Sequence, residues 1–182
     1  MKILCFGDSN TFGYDPRGYF GDRYDENNRW VDLLASATGW QVINAGVNGR
    51  EIPRSSNPLR EFSNHPDADL FLIMLGTNDL LQGASASHTA TQMEAFLTRL
   101  LPYRKQILLV TPPRLKRGAW VPEENLVAES IRLGEEYKHV AEKLNITFVD
   151  TCQWNIDLAF DGVHFTEDGH HTFAEHLIKH LR

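Results

Sequence analysis

Cysteine is scarce in this chain: two in 182 residues, Cys5 and Cys152, too few to frame a small secreted disulfide scaffold, so both read as buried thiols. Basic charge is short as well. Lys and Arg total 18 against 24 Asp and Glu, a net charge of -6, which leaves no cationic footprint for a phosphate backbone and makes nucleic acid an unexpected partner. No apolar run approaches the roughly 20 residues that span a bilayer, so no membrane association is expected. The amino terminus has one lysine and an apolar stretch shorter than a signal-peptide core, which implies a cytoplasmic location. Internal repeats and low-complexity segments are missing. The densest basic stretch, Arg114-Leu115-Lys116-Arg117-Gly118, reads as a solvated loop.

What the chain does have is 42% hydrophobic residues, enough for a substantial core in a single domain over residues 1–182. Apolar runs at 2–6, 41–45, 69–75, 106–110 and 146–149 predict strands, and the continuous run Leu70 to Leu75 fits a parallel strand buried on both faces. Apolar residues at helical spacing predict helices over 29–38, 90–103 and 123–144, and a last one opened by Thr166 as N-cap. Pro53, Pro58 and Pro66 interrupt any helix between 50 and 67. Strands alternating with helices predict an α/β fold, a three-layer α/β/α sandwich around a five-stranded parallel sheet. The polar segment Tyr14 to Asn28 has neither period and reads as a loop. It leaves directly from the first strand's turn, which makes it a candidate wall or lid. Such a segment also suits contact between copies of the chain, so a homo-oligomer stays open.

Four blocks carry chemistry: Gly7-Asp8-Ser9-Asn10, Asn44-Ala45-Gly46-Val47-Asn48-Gly49, Gly76-Thr77-Asn78-Asp79 and Asp161-Gly162-Val163-His164. The first three each follow a predicted strand, which sets them at the carboxyl edge of the sheet, where open α/β folds bind ligands. A serine hydroxyl is a weak nucleophile until a histidine takes its proton and a carboxylate orients the imidazole. Ser9, His164 and Asp161 supply that set.

The order of these blocks resembles the SGNH (GDSL-type) serine hydrolase superfamily, over nearly the whole chain. The resemblance implies a flavodoxin-like SGNH hydrolase fold, Ser9 as nucleophile, His164 as base and Asp161 as its orienter. It implies Ser9, Gly46 and Asn78 as oxyanion donors, Gly46 also because a missing side chain lets an ester approach the backbone. Asn10 stands where the family name implies leucine, a difference expected to bear on pocket shape. Cys5 to Ser9, the Arg29-Trp30 pair, Met74 to Asp79 and Asp161 to Thr166 look most like the small arylesterase and acetyl-esterase branch. The implied partner is a small-molecule ester, with acyl transfer to alcohols as a side activity. Carbohydrate O-deacetylase, lysophospholipase or thioesterase action are the enzyme alternatives, and a binding module on the same fold is the non-enzyme one.

No cofactor is implied. No metal site is expected either, because His176 and His180, one helical turn apart, lack the carboxylate motif of zinc hydrolases. Asp8 reads as a brace of the turn and Asp79 as a ligand of local backbone. Trp30 reads as a core anchor and Trp120 as a flank of the substrate. Arg50 reads either as a surface ion pair or as a contact to a polar substrate.

Overall fold

The computed structural model describes residues 1–18, 22–57 and 59–182. The apolar runs form strands β1 (Lys2–Gly7), β2 (Gln41–Gly46), β3 (Leu70–Met74), β4 (Ile107–Val110) and β5 (Thr147–Val149). All neighbours pair in parallel, in the order β2-β1-β3-β4-β5, which is the flavodoxin-like winding. Helices α1 (Ser9–Phe12), α2 (Trp30–Thr38), α3 (Leu59–Ser63), α4 (Thr77–Leu81), α5 (Ala86–Thr98), α6 (Glu124–Leu144) and α7 (Glu167–Leu181) complete the chain.

Side chains alternate across a strand, so β1 and β3 feed two separate cores. Leu4, Phe6, Phe71 and Ile73 face α3, α5 and α6, where Phe62, Met93, Phe96 and Tyr137 cover them. Ile3, Cys5, Leu72 and Met74 face α2 and α7, under Trp30, Leu34, Phe173 and Leu177. Each such aromatic or aliphatic side chain contributes about 1.5–3 kcal/mol by leaving water. The result is the expected α/β/α layering. Among the described residues no helix is long and apolar enough to cross a membrane.

Two boundaries differ from expectation by more than one residue. Helix α5 starts four residues early because the Ser85 side chain accepts the His88 N–H and caps it. It stops at Thr98, and Leu101–Gln106 is a 3-10 turn, because Pro102 has no N–H to donate to the carbonyl of Thr98. Pro58 lies outside the described residues. Register sets up the site: Gly7 is paired with Gly46 on one side and Met74 on the other, so β1, β2 and β3 end level. The three motif-bearing loops leave from that one edge, at the β1/β3 switch point where such folds bind ligands.

Candidate active site

The first strand runs directly into its turn. Asp8 is extended and its Oδ1 accepts the Asn10 N–H at 3.0 Å, which caps α1 and sets Ser9 as the first helical residue. The helix lasts four residues, ended by Gly13 in the left-handed region.

Opposite stands the loop 161–165 that precedes α7. Asp161 Oδ1 accepts the N–H groups of Val163 (2.9 Å) and His164 (3.0 Å), and its Oδ2 lies 2.6 Å from His164 Nδ1. His164 Nε2 then lies 3.0 Å from Ser9 Oγ. All three side chains are buried. Burial works to raise the Asp161 pKa, but the bonds from the imidazole and from the two backbone N–H groups outweigh it and hold the carboxyl below the usual range. A carboxylate that accepts three N–H donors, bound to Nδ1, leaves Nε2 free to accept a proton from the hydroxyl.

The Arg114–Gly118 stretch and the two residues after it back this loop instead of merely facing water. Lys116 N–H donates to the Gly162 carbonyl, Ala119 to Phe160 and Trp120 to Asp161, at 3.0 Å each. Leu115, Val121 and Val163 pack together behind it. Only the charged heads obey the solvated-loop reading.

Gly46 departs from its expected role. Its N–H is taken by Asn44 Oδ1 at 2.9 Å, and a Cβ there would meet the Phe12 nitrogen at 2.2 Å. Its missing side chain lets α1 seat on β2, and it offers no free donor. Three residues on, Gly49 has φ 71 with open space around it, and among the described residues its N–H has no partner. Asn78 Nδ2 donates to the Arg50 carbonyl at 3.0 Å, one residue from Gly49. Arg50 itself turns inward: Nη1 donates to the Gly7 (3.0 Å) and Ala45 (2.5 Å) carbonyls and the guanidinium lies 4.1 Å from the Phe6 ring centre. Among the described residues it makes no ion pair. Asp79 reaches past its local backbone to accept the Ile52 N–H at 3.1 Å.

Two aromatic rings flank the imidazole. Tyr14 lies 4.6 Å from it and Trp120 5.1 Å, edge to face. Trp120 is 52% exposed and also lines a 360 Å³ groove with Leu80, Leu81, Ala84 and Pro122. The 14–28 segment is more than a rim. Residues 19–21 lie outside the described residues, but Tyr24 is buried and its hydroxyl donates to the Phe165 carbonyl at 3.3 Å. Asn10 also turns out to face the loop 161–165: Nδ2 donates to the Val163 carbonyl at 3.1 Å and Oδ1 accepts the Phe165 N–H at 3.0 Å. Sequence assigned it to pocket shape, and nothing in the motif signals a bond 155 residues away. Trp30 is a core anchor as expected, with its indole N–H on the Asn10 carbonyl at 2.9 Å.

Residues 5–172 match the family model described as GDSL-like lipase/acylhydrolase. The chain belongs to that family. Its fold is that of the SGNH hydrolases and its chemistry class is ester hydrolysis. A solved structure of an M. smegmatis aryl esterase is 27% identical with a TM-score of 0.87, over 100% of this chain and 98% of that one. A carbohydrate acetylesterase family member from Sinorhizobium meliloti is 26% identical with a TM-score of 0.85, over the same 100% and 98%. No curated protein matches the chain in sequence. In this GDSL-like hydrolase neither thiol is available as a nucleophile. Burial pushes both up, Cys152 to about 12 with help from Asp150, which keeps them protonated and inert.

Proposed function

We propose that this chain is a serine esterase for small, acetyl-type esters, working through an acyl-enzyme. Ser9 Oγ attacks the ester carbonyl while His164 Nε2 takes its proton. The tetrahedral adduct collapses, and the imidazolium gives that proton to the leaving alkoxide. Water then repeats the sequence on the acyl-Ser9 ester, releasing the acid. Asp161 stays ionised and holds the imidazole tautomer. The developing oxyanion is met by the Ser9 N–H, the Asn78 side-chain amide and the free N–H of Gly49, which takes the part expected of Gly46.

The observation that carries this reading is the relay itself, 3.0 Å from hydroxyl to imidazole and 2.6 Å from imidazole to carboxylate. Its test is a small phosphonate ester, which should bond to Ser9 stoichiometrically and abolish hydrolysis of aryl acetates. Ser9→Ala should lose about 10⁴-fold or more in turnover with the fold intact. Retention of more than a few per cent of the activity would rule out the covalent mechanism and leave a binding module or another nucleophile.

A carbohydrate O-acetylesterase is the second reading. It is favoured by Trp120 and by Phe160, which is 67% exposed, two broad apolar surfaces carried beside the base loop. A panel of acetylated sugars against aryl acetates, at matched concentration, separates the two by kcat/KM.

A further inference from the structure

Ser9 and His164 sit on separate pieces of chain, 155 residues apart, and the proposed chemistry rests on the one distance between them. Asp161 cannot set that distance. Its three carboxylate bonds all run within residues 161–164, so they fix the imidazole relative to its own loop, and the main-chain bonds from Lys116, Ala119 and Trp120 tie that loop to the 114–121 segment and not to the turn that carries Ser9. Among the described residues, the other hydrogen bonds between the turn 8–13 and the loop 161–165 are both made by the Asn10 side chain.

We infer that Asn10 is the positioning residue that holds His164 against Ser9. The inference rests on the esterase reading above. The Asn10 amide grips the peptides on either side of His164, donating to Val163 and accepting from Phe165, from the position directly after the nucleophile. Two bonds of opposite polarity fix both the location and the rotation of the gripped segment, and only one orientation of the amide satisfies both. The grip is anchored at its other end. The Asn10 N–H is held by Asp8 and its carbonyl by the Trp30 indole, itself buried in the α2/α7 core. The Trp30 N–H in turn donates to His170 Nδ1 at 3.3 Å, and burial lowers His170 to about 3, so that it stays a neutral acceptor. Leucine would fill the same volume and leave the Val163 carbonyl and Phe165 N–H unpaired, so the loop would drift toward water to satisfy them.

The test compares the full-length wild type with Ser9→Ala, Asn10→Leu and Asn10→Asp, on an aryl acetate and a small phosphonate. Asn10→Leu should lower kcat and the phosphonylation rate together by about 30- to 100-fold, the scale of a misplacement of about 1 Å, with KM within about twofold. The low-field proton resonance of His164 Nδ1 should persist, because Asp161 still holds it. Asn10→Asp supplies an independent signature: ionised, it turns a carboxylate oxygen toward the Val163 carbonyl, and protonated, it donates there and restores the grip. Its rate relative to wild type should therefore rise as pH falls.

Phosphonylation of Asn10→Leu at the wild-type rate would overturn the inference. Loss of the Nδ1 resonance along with activity would overturn it too, since Asn10 would then maintain the loop itself and not its distance from Ser9. If Asn10→Leu does not fold, a pH-independent ratio for Asn10→Asp overturns it instead. Failure of the esterase reading looks different: the wild type would resist the phosphonate, or Ser9→Ala would keep its turnover.

Discussion

Asp8 and Asp161 are equally hidden, each 1% exposed, and stand on opposite sides of the same hydroxyl-imidazole contact, yet their acidities move in opposite directions. Burial dominates at Asp8 and raises it to about 6, against the smaller pull of the Asn10 N–H and of the nearby His164 and Arg50 charges. At Asp161 the hydrogen bonds win and the carboxyl falls below its ordinary value. The difference lies in donors. Asp161 receives two backbone N–H groups and an imidazole nitrogen, whereas among the described residues Asp8 receives one N–H and its Oδ2 has no partner. Depth alone does not decide the charge of a buried carboxyl; the number of groups aimed at it does. The loop 161–165 thus holds a carboxylate kept ionised by its donors, and the turn 8–13 holds a carboxyl that burial raises to about 6.

The strongest way to break this contrast is Asp161→Asn. An amide of the same shape would turn an N–H toward Nδ1 and favour the tautomer whose proton sits on Nε2, where it cannot accept from Ser9. Turnover should fall by about 10⁴-fold with little change in KM. A loss below tenfold in steady-state kcat would mean that the carboxylate only shapes the loop. Because Asp161 is held below the ordinary aspartate range, its protonation should not limit activity above that range. Its linkage has the same sign as its shift: the stability it contributes is complete above the unfolded value and fades as pH falls through the lower folded value.

Asp8→Asn sharpens the other half. A carboxyl raised in the folded state contributes stability that is complete below the unfolded value of 3.8 and is lost as pH rises through about 6. Wild type should therefore lose ground to the asparagine variant between pH 4 and pH 8. The shift corresponds to about 3 kcal/mol. Urea unfolding of both proteins at the two pH values reads it directly, since any constant cost of an unpaired amide cancels in the difference. A gap that does not change with pH would show that Asp8 is already ionised at no cost, with a partner for Oδ2 in solution.

Legibility in the sequence followed the range of the signal. Strands such as Leu70–Met74 and the helix Glu124–Leu144 announce themselves by hydrophobic pattern, because the face each buries is written in its own residues. Ser9, Asp161 and His164 could be singled out because acyl chemistry would demand those residue types together, and the structure brings the three side chains within hydrogen-bond reach. Gly46 misled for a local reason: its glycine is required by Phe12 packing across α1, and that contact is not encoded near it. The hydrogen bonds of Asn10, Arg50 and Asp79 were not legible, for one shared reason. Each side chain bonds backbone outside its own turn, and a bond to a carbonyl or an N–H leaves no mark on the residue that supplies it. The Arg114–Gly118 stretch hid its role in the same way, through main-chain bonds beneath charged heads.

The smallest expected effect concerns the two rings beside His164, which repeat the contrast between a held and an open partner. Tyr14 belongs to the segment whose Tyr24 is tied to Phe165, while Trp120 is half exposed and shared with the 360 Å³ groove beside α4. Substrate that leans on this side of the base should therefore feel Trp120. Replacing it with alanine removes an aromatic edge worth about 0.5–1.5 kcal/mol, so kcat/KM for bulky aryl acetates should drop about three- to tenfold. Ethyl acetate, too small to reach the groove, should be hydrolysed within about twofold of the wild-type rate, and Ser9 should still react with a small phosphonate. An equal loss on both esters would instead make Trp120 a support of the imidazole, and the selectivity of the site would then have to come from the Tyr14 side. Trimming within residues 15–25 would test that directly, with solution size measured on the same variant to separate a pocket wall from a contact between copies.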